Sequence, residues 1–376
     1  MSVDARDGRP LCKQLFSPKA GGTLLAAFVG QCGYASANMT QDSPSKLKRL
    51  LRLIWAFLLL GLIGWILGEI YFNLGSNAVA LAVYESKQPL QVLTKRGEWK
   101  KAASMTPGDL AGALITRHVE EGLRWSTLKV SRSAGTWGDA VQAILGAEIH
   151  VVVVHPEYFE FSASYLPKFQ VTTAVERLKT ERLNFVITAN FRDPQGKPLG
   201  YVYHQGKQVN AAFKEWSGSF FVKAGRPYFG PKSLLDEAPG AIEEATQGYP
   251  AVMKNHTIFS YIDAKPDAFF DGSKITYRAL AGMRRDGVIV FVLSGDGGVM
   301  NVSEAAELAR KLDVQHATLL DGGRALQYSL NTEDGPWHFA ALNTDLDINR
   351  HPLDRQRSPV FIAVRKRAPE IIRVGH

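Results

Sequence analysis

The sequence predicts an α+β fold: a mixed β-sheet with covering helices, preceded by a single N-terminal transmembrane helix. Three observations carry this. One long apolar stretch, Leu53 to Phe72, stands near the start. Short β-branched runs that end in polar turns recur from Glu148 to Val364, as buried strands do. Two amphipathic segments, 173–180 and 303–313, lie between such runs, where helices covering one face of a sheet belong.

Residues 1–45 lack a sustained period and are rich in Gly, Ser, Ala and Asp, so they are expected to be a disordered N-terminus. Within them Leu24 to Val29 and Ala35-Ser36-Ala37 resemble a signal peptide with its cleavage site, and Met39 offers a second start; the sequence leaves these alternatives open. Residues 46–72 form a basic flank and an anchor. The stretch is uncharged from Leu53 to Gly68, Glu69 lies near its end, and Trp55 and Tyr71 sit near its two ends, as interfacial aromatics do. Lys46, Lys48, Arg49 and Arg52 precede it, and no Lys or Arg follows until Lys87. The positive-inside rule therefore places the N-terminus in the cytoplasm and the chain after residue 73 in the periplasm or outside the cell.

The composition, 45% hydrophobic and 21% charged, is that of a folded protein. The net charge of +8 is spread out except at the anchor's flank, and there is no P-loop, zinc-finger spacing or GxGxxG after a strand, so no nucleic-acid partner is expected. The two cysteines, Cys12 and Cys32, precede the anchor. The exported part therefore offers no disulfide, thiol nucleophile or cysteine metal site.

Residues 73–123 carry short strand patterns at Val79–Val83 and Leu90–Leu93 and a helix pattern at Leu110–Glu121 opened by Thr106-Pro107; they are expected to form a membrane-proximal stalk or subdomain. The main domain, 124–376, begins with the strand Glu148–Val154, which runs into His155-Pro156. A helix over 173–180 leads to the strand Leu183–Asn190 and a polar turn, Phe191-Arg192-Asp193-Pro194. Strand patterns at 199–203 and 220–222 suggest hairpins. The central unit is Val288 to Tyr328. Its strand 288–293 is followed by a Gly-rich turn, then by a helix with a capping box, Asn301 and Glu304. Ala305, Leu308, Ala309 and Leu312 share one face of that helix. A strand over 317–320 ends in Asp321-Gly322-Gly323-Arg324, and Pro359–Val364 closes the set. Asp-Gly-Gly is common turn chemistry. It also puts a carboxylate, an arginine and backbone N–H groups at a strand end, which suits a sugar or phosphate. His316 and His338 have no partner at ligand spacing, so no metal site is proposed.

This order of pieces resembles the phosphodiester glycosidase family over about residues 125–365. The helix VSEAAELARKL followed by LDGG carries most of the likeness. Asn190-Phe191 resembles the family's Asn-Gly-rich segment and its aromatic, Gln247 to Pro250 its Gln-x-x-Pro, and Arg278 to Gly282 its Arg-x-x-x-Gly strand. The resemblance implies hydrolysis of a sugar-1-phosphodiester in an envelope glycan or polysaccharide. Arg278 would bind the phosphate, with Arg324 beside it, because a planar guanidinium pairs two oxygens at once. Gly322 and Gly323 would lend N–H donors, and Asn190 and Gln247 would hold the sugar. Asp321 would stabilise an oxocarbenium-like sugar or activate water. A second carboxylate is unassigned, with Asp193 and Asp296 as the candidates. No cofactor is identified, and a divalent cation is left open. The chain departs from the family at His155, where an Asp is usual, in lacking glycines between Asn190 and Phe191, and in reading Arg324-Ala325-Leu326 where Gly-Ser-Ser is common. These departures leave a rival reading: a non-catalytic envelope protein that binds glycan or serves polysaccharide assembly through the same cleft.

Overall fold

A computed structural model of the chain describes residues 44–69, 88–132, 147–193, 195–260, 271–341 and 357–368. The first 43 residues with both cysteines, the strand expected at Val79–Val83 and the end of the anchor at 70–72 lie outside the described residues. The chain divides into a unit ending at Leu59 and a unit from Leu60 to His376.

The first element is the helix Pro44–Glu69. Pro44 and Ser45 thus belong to it and not to the preceding segment. Its stretch Leu47–Leu67 has a mean hydropathy of 2.3 and no buried residue. At a rise of about 1.5 Å per residue that stretch spans about 30 Å, the thickness of a bilayer's hydrocarbon. By length and composition it can cross a membrane.

The folded part holds three sheets among the described residues. The largest has ten strands. At its centre Val314–Leu319, Ala279–Arg284, Ile289–Ser294 and Glu148–Val154 lie side by side, each antiparallel to its neighbour. Ile289–Ser294 and Val314–Leu319 therefore run the same way, with Ala279–Arg284 between them. The helix Val302–Lys311 joins the two, and its capping box between Asn301 and Glu304 is formed. Glu304 also pairs with the buried Arg132 and accepts from the Leu90 N–H at 3.1 Å. The cap carboxylate so fastens the helix to the segment that precedes the central unit.

That segment is not a separate stalk from residue 88 onward. Gln91–Leu93 and Ile115–Glu120 both pair with Leu123–Ser131, inside the same sheet. The helix expected at Leu110–Glu121 is Pro107–Ala113, and Ile115–Glu120 is a strand. Its β-branched Ile115, Thr116 and Val119 suit an extended backbone, and its hairpin partner is next in sequence.

A five-stranded sheet orders Gly335–Ala340, Gln327–Thr332, Phe185–Thr188, Val360–Lys366 and Phe159–Tyr165. The helix Ala174–Glu181 covers it with Ala174 and Leu178. The other five-stranded sheet contains the hairpin Gly218–Lys223 and Arg226–Pro231 and the strand Ile242–Gly248. The α+β reading holds, but the five strands predicted for one sheet divide between two. Fully buried runs such as Phe185–Thr188 are apolar on both faces, so their pattern does not name their neighbours. One apolar core joins all three sheets. Phe291, fully buried, meets Phe185 of one neighbouring sheet at 4.9 Å and Phe229 of the other at 5.4 Å, both edge-to-face.

Candidate functional site

The Val314–Leu319 strand ends at a seam between sheets. The Leu320 N–H still donates within its own sheet, to the Ala279 carbonyl at 2.9 Å. The next N–H, that of Asp321, donates to the Ala189 carbonyl at 3.1 Å, at the end of Phe185–Thr188 in the other sheet. Gly323 then returns to the Tyr277 carbonyl at 2.7 Å. A Cβ on Gly322 would stand 2.9 Å from that same carbonyl, so the position excludes a side chain. Gly323 has φ of +57°, the left-handed region that glycine enters without cost. Both glycines are needed to turn the chain here.

Asp321 is 5% exposed. Burial pushes its carboxyl up to about 8, against the opposing pull of the Arg192 charge and of the Gly322 N–H. Desolvation of the charged form is the dominant cause. Below that pH Asp321 is a neutral acid, able to donate a hydrogen bond. The nearby cation is Arg192, two residues past Asn190. It donates to the Arg357 carbonyl through one nitrogen.

Asn190 is fully buried beside this turn. Its amide nitrogen faces the carbonyls of Leu199 at 2.9 Å, Gln247 at 3.3 Å and Tyr201 at 3.4 Å. Three acceptors around one atom require the NH2 group there, which fixes the amide's orientation. Its Oδ1 is buried with no hydrogen-bond partner.

The structure gives several expected site residues other duties. Gln247 is fully buried, and its amide accepts from the N–H groups of Tyr201 and Phe213 and donates to the carbonyls of Phe213 and Trp216. It braces the 213–216 loop and has no spare donor for a sugar. Arg278 is buried and donates to the carbonyls of Asp271 and Lys274, both at 2.7 Å, and of Met300 at 3.4 Å. Burial lowers its pKa to about 10, partly offset by Asp271, so it stays charged near neutrality. Its backbone lies beside Gly322, but its guanidinium serves the 271–276 segment. The Gly323 N–H is also occupied, by the Tyr277 carbonyl, and the Gly322 N–H opposes the rise in the Asp321 pKa. Arg324 lies in the short turn Gly323–Ala325, and its side chain lies outside the described residues.

Residues 181–364 match the phosphodiester glycosidase family model. Over that span the chain is similar to that family. The matched span contains Asn190, Arg192, Gln247, Arg278 and Asp321, while the strands Leu123–Ser131, Glu148–Val154 and Phe159–Tyr165 precede it. The catalytic domain of zebrafish N-acetylglucosamine-1-phosphodiester alpha-N-acetylglucosaminidase, auto-inhibited by its pro-peptide, is similar in fold. It is 16% identical with a TM-score of 0.51, covering 75% of this chain and 97% of that one. A Synechocystis protein (14% identity, TM-score 0.43, coverage 68% and 64%) and one from Burkholderia pseudomallei K96243 (10%, 0.45, 67% and 96%) also align. Among curated proteins, none matches this chain.

Within the matched span the two candidate second carboxylates differ. Asp193 closes its own turn, accepting from the N–H groups of Gln195 at 2.9 Å and Lys197 at 2.8 Å. Asp296 is exposed; burial raises the pKa of the phenols Tyr277 and Tyr328, and the Asp296 charge adds to it. It follows a strand two places from Val314–Leu319 in the sheet, about 10 Å across at ordinary strand spacing. Among the described residues no cluster of His, Cys, Asp or Glu has the makings of a metal site.

Sequence reasoning missed Arg192 and an aromatic group around Trp216. Arg192 had a readable signal, a guanidinium only two residues beyond Asn190 in the same polar turn. The aromatics are drawn from three separate segments, and only folding brings them together.

Proposed function

We propose that this chain is a membrane-anchored hydrolase of a sugar-1-phosphodiester in an envelope glycan, with its phosphodiester glycosidase domain on the outer side of the cytoplasmic membrane. The family match supports the reaction class, and the basic flank before the apolar helix supports the orientation. One observation carries the chemistry: a buried carboxyl that holds its proton to about pH 8, next to the charge of Arg192.

The pairing suits an anionic substrate. An ionised carboxylate would repel a phosphodiester, whereas a neutral acid donates to it and the guanidinium attracts it. In the proposed step the C1–O bond breaks and its electron pair stays on the phosphate oxygen. Asp321 passes its proton to that phosphate, and a water oxygen adds to C1. The proton released by water restores Asp321. The products are a free sugar and a phosphomonoester. Phosphate is a weakly basic leaving group, so charge neutralisation by Arg192 is the larger contribution. Arg192 takes the role that the sequence suggested for Arg278, and Asn190 Oδ1 is the acceptor left for a sugar hydroxyl or acetamido group.

The test uses the purified full chain and its Asp321→Asn variant on a panel of sugar-1-phosphodiesters, with and without divalent cations and chelator. Release of free sugar by the parent alone supports the reading. No release by either, with glycan binding retained, would replace it with the glycan-binding alternative. Protease added outside the cytoplasmic membrane should remove the domain; full protection would overturn the orientation.

A further inference from the structure

We propose that Phe191, Phe213 and Tyr249 form a stacking platform for the glycosyl ring of the substrate, arranged around Trp216 and beside Asp321. This rests on the glycosyl substrate proposed for the same site. Trp216 is 4% exposed, and the three other rings radiate from it, each only partly buried. Phe213 meets its indole at 5.0 Å and Phe191 at 5.1 Å, the latter edge-to-face. Tyr249 lies nearly parallel to it at 6.0 Å.

Each ring is tied to the site by backbone. Phe191 follows Asn190 directly. Tyr249 precedes Pro250, whose carbonyl accepts from the Leu319 N–H at 3.0 Å and the Thr318 hydroxyl at 3.2 Å, two and three residues before Asp321. The loop bearing Phe213 and Trp216 is clamped at three backbone groups by the buried Gln247 amide. A buried amide spent on fixing a half-exposed aromatic loop makes that surface preorganised. The apolar face of a pyranose presents C–H groups that lie well on the negative face of an aromatic ring, while its hydroxyls need neighbouring polar groups. Here Asn190 and Asp321 supply them.

The experiment measures sugar binding apart from turnover. The full chain carrying Asp321→Asn is titrated with methyl α-glucopyranoside, methyl α-mannopyranoside and methyl α-N-acetylglucosaminide, by saturation-transfer NMR and by tryptophan emission. At least one should bind, with saturation strongest on its ring C–H protons. Phe213→Leu and Tyr249→Leu keep apolar bulk but remove the π face, and each should weaken binding about tenfold. Their thermal midpoints serve as the check on folding. Unchanged affinity in both folded variants would overturn the platform, as would a folded parent that binds none of the three sugars. The phosphodiester panel separates this from the hydrolase reading. Sugar binding that needs these rings, without turnover by the parent, sinks the hydrolase and keeps the platform. Turnover with the same KM in both leucine variants does the reverse.

Discussion

Replacing Asp321 by Asn should change how stability depends on pH, by an amount the structure sets. The carboxyl ionises near pH 8 in the folded chain, against an ordinary value of 3.8. Between those limits the unfolded chain has released the proton and the folded chain still holds it. The folded state then binds more protons, so its stability falls as pH rises, by about 1.4 kcal/mol per pH unit. The contribution is intact below pH 3.8, is spent by about pH 8 and stays flat above. Over that window, at about 1.4 kcal/mol per unit, the loss approaches roughly 6 kcal/mol, a large share of the stability of a typical domain. Asparagine fills the same space and does not titrate. Every other ionisable group is common to both proteins, so their difference isolates Asp321. Urea unfolding of parent and variant, followed by tryptophan emission from pH 4 to pH 9, gives that difference directly. It should grow in favour of the variant with each pH step and level off near pH 8. Parallel curves would mean that Asp321 ionises like any surface aspartate, and the proton-donor role would fall with that result. A difference growing in the opposite direction would mean that the fold stabilises the carboxylate.

Three further outcomes follow from the same geometry. If Asp321 donates its proton, kcat/KM should fall about tenfold per pH unit above about pH 8, and Arg192→Ala should move that limb to higher pH because Arg192 holds the value down; activity that rises through pH 8 would assign Asp321 as a base. Arg192→Ala should hurt phosphodiesters far more than uncharged aryl glycosides, whereas Arg278→Ala should cost about 2–4 kcal/mol of stability and lower activity on all substrates alike, read by unfolding and by the two substrate classes in parallel. Gln247→Leu strips partners from four backbone groups of Tyr201, Phe213 and Trp216, a loss of about 4 kcal/mol at roughly 1 kcal/mol each, with faster hydrogen exchange at Tyr201 and in the 213–216 loop.

What the sequence disclosed is what short-range chemistry decides. The helix Val302–Lys311 was legible because its start depends on Asn301 and Glu304 three residues apart, and its buried side on Ala305, Leu308 and Ala309. The Asp321 turn was legible because a strand cannot continue through two glycines that the backbone needs. Arg278 shows the opposite case. An arginine at a strand start reads as a ligand until a loop folds over it, and here the Asp271 and Lys274 carbonyls do so. Gln247 is alike, since its four partners come from segments 31 to 46 residues away. A buried amide and a substrate-binding amide have the same letter. The sheet assignment failed for the same physical reason: a run buried on both faces carries no mark of its neighbours.

The seam between sheets explains why Asp321 is the residue with the displaced proton. Its own N–H is spent on joining the Val314–Leu319 strand to Ala189 of the adjoining sheet. Leu320 before it and Ala189 opposite are both buried. The carboxyl is therefore dry because the backbone that carries it belongs to the core, and the pKa displacement follows from packing before any substrate arrives. Arg192 lies four residues beyond the strand Phe185–Thr188 of the adjoining sheet, so the positive charge reaches the acid from the other side of the seam. A change that loosened this junction without touching either side chain, such as Gly322→Ala pressing a methyl to 2.9 Å from the Tyr277 carbonyl, should rehydrate Asp321 and bring its ionisation down. Activity and the pH-linked loss of stability would then decline together, whereas a defect only in substrate contact would lower activity and leave the stability slope intact.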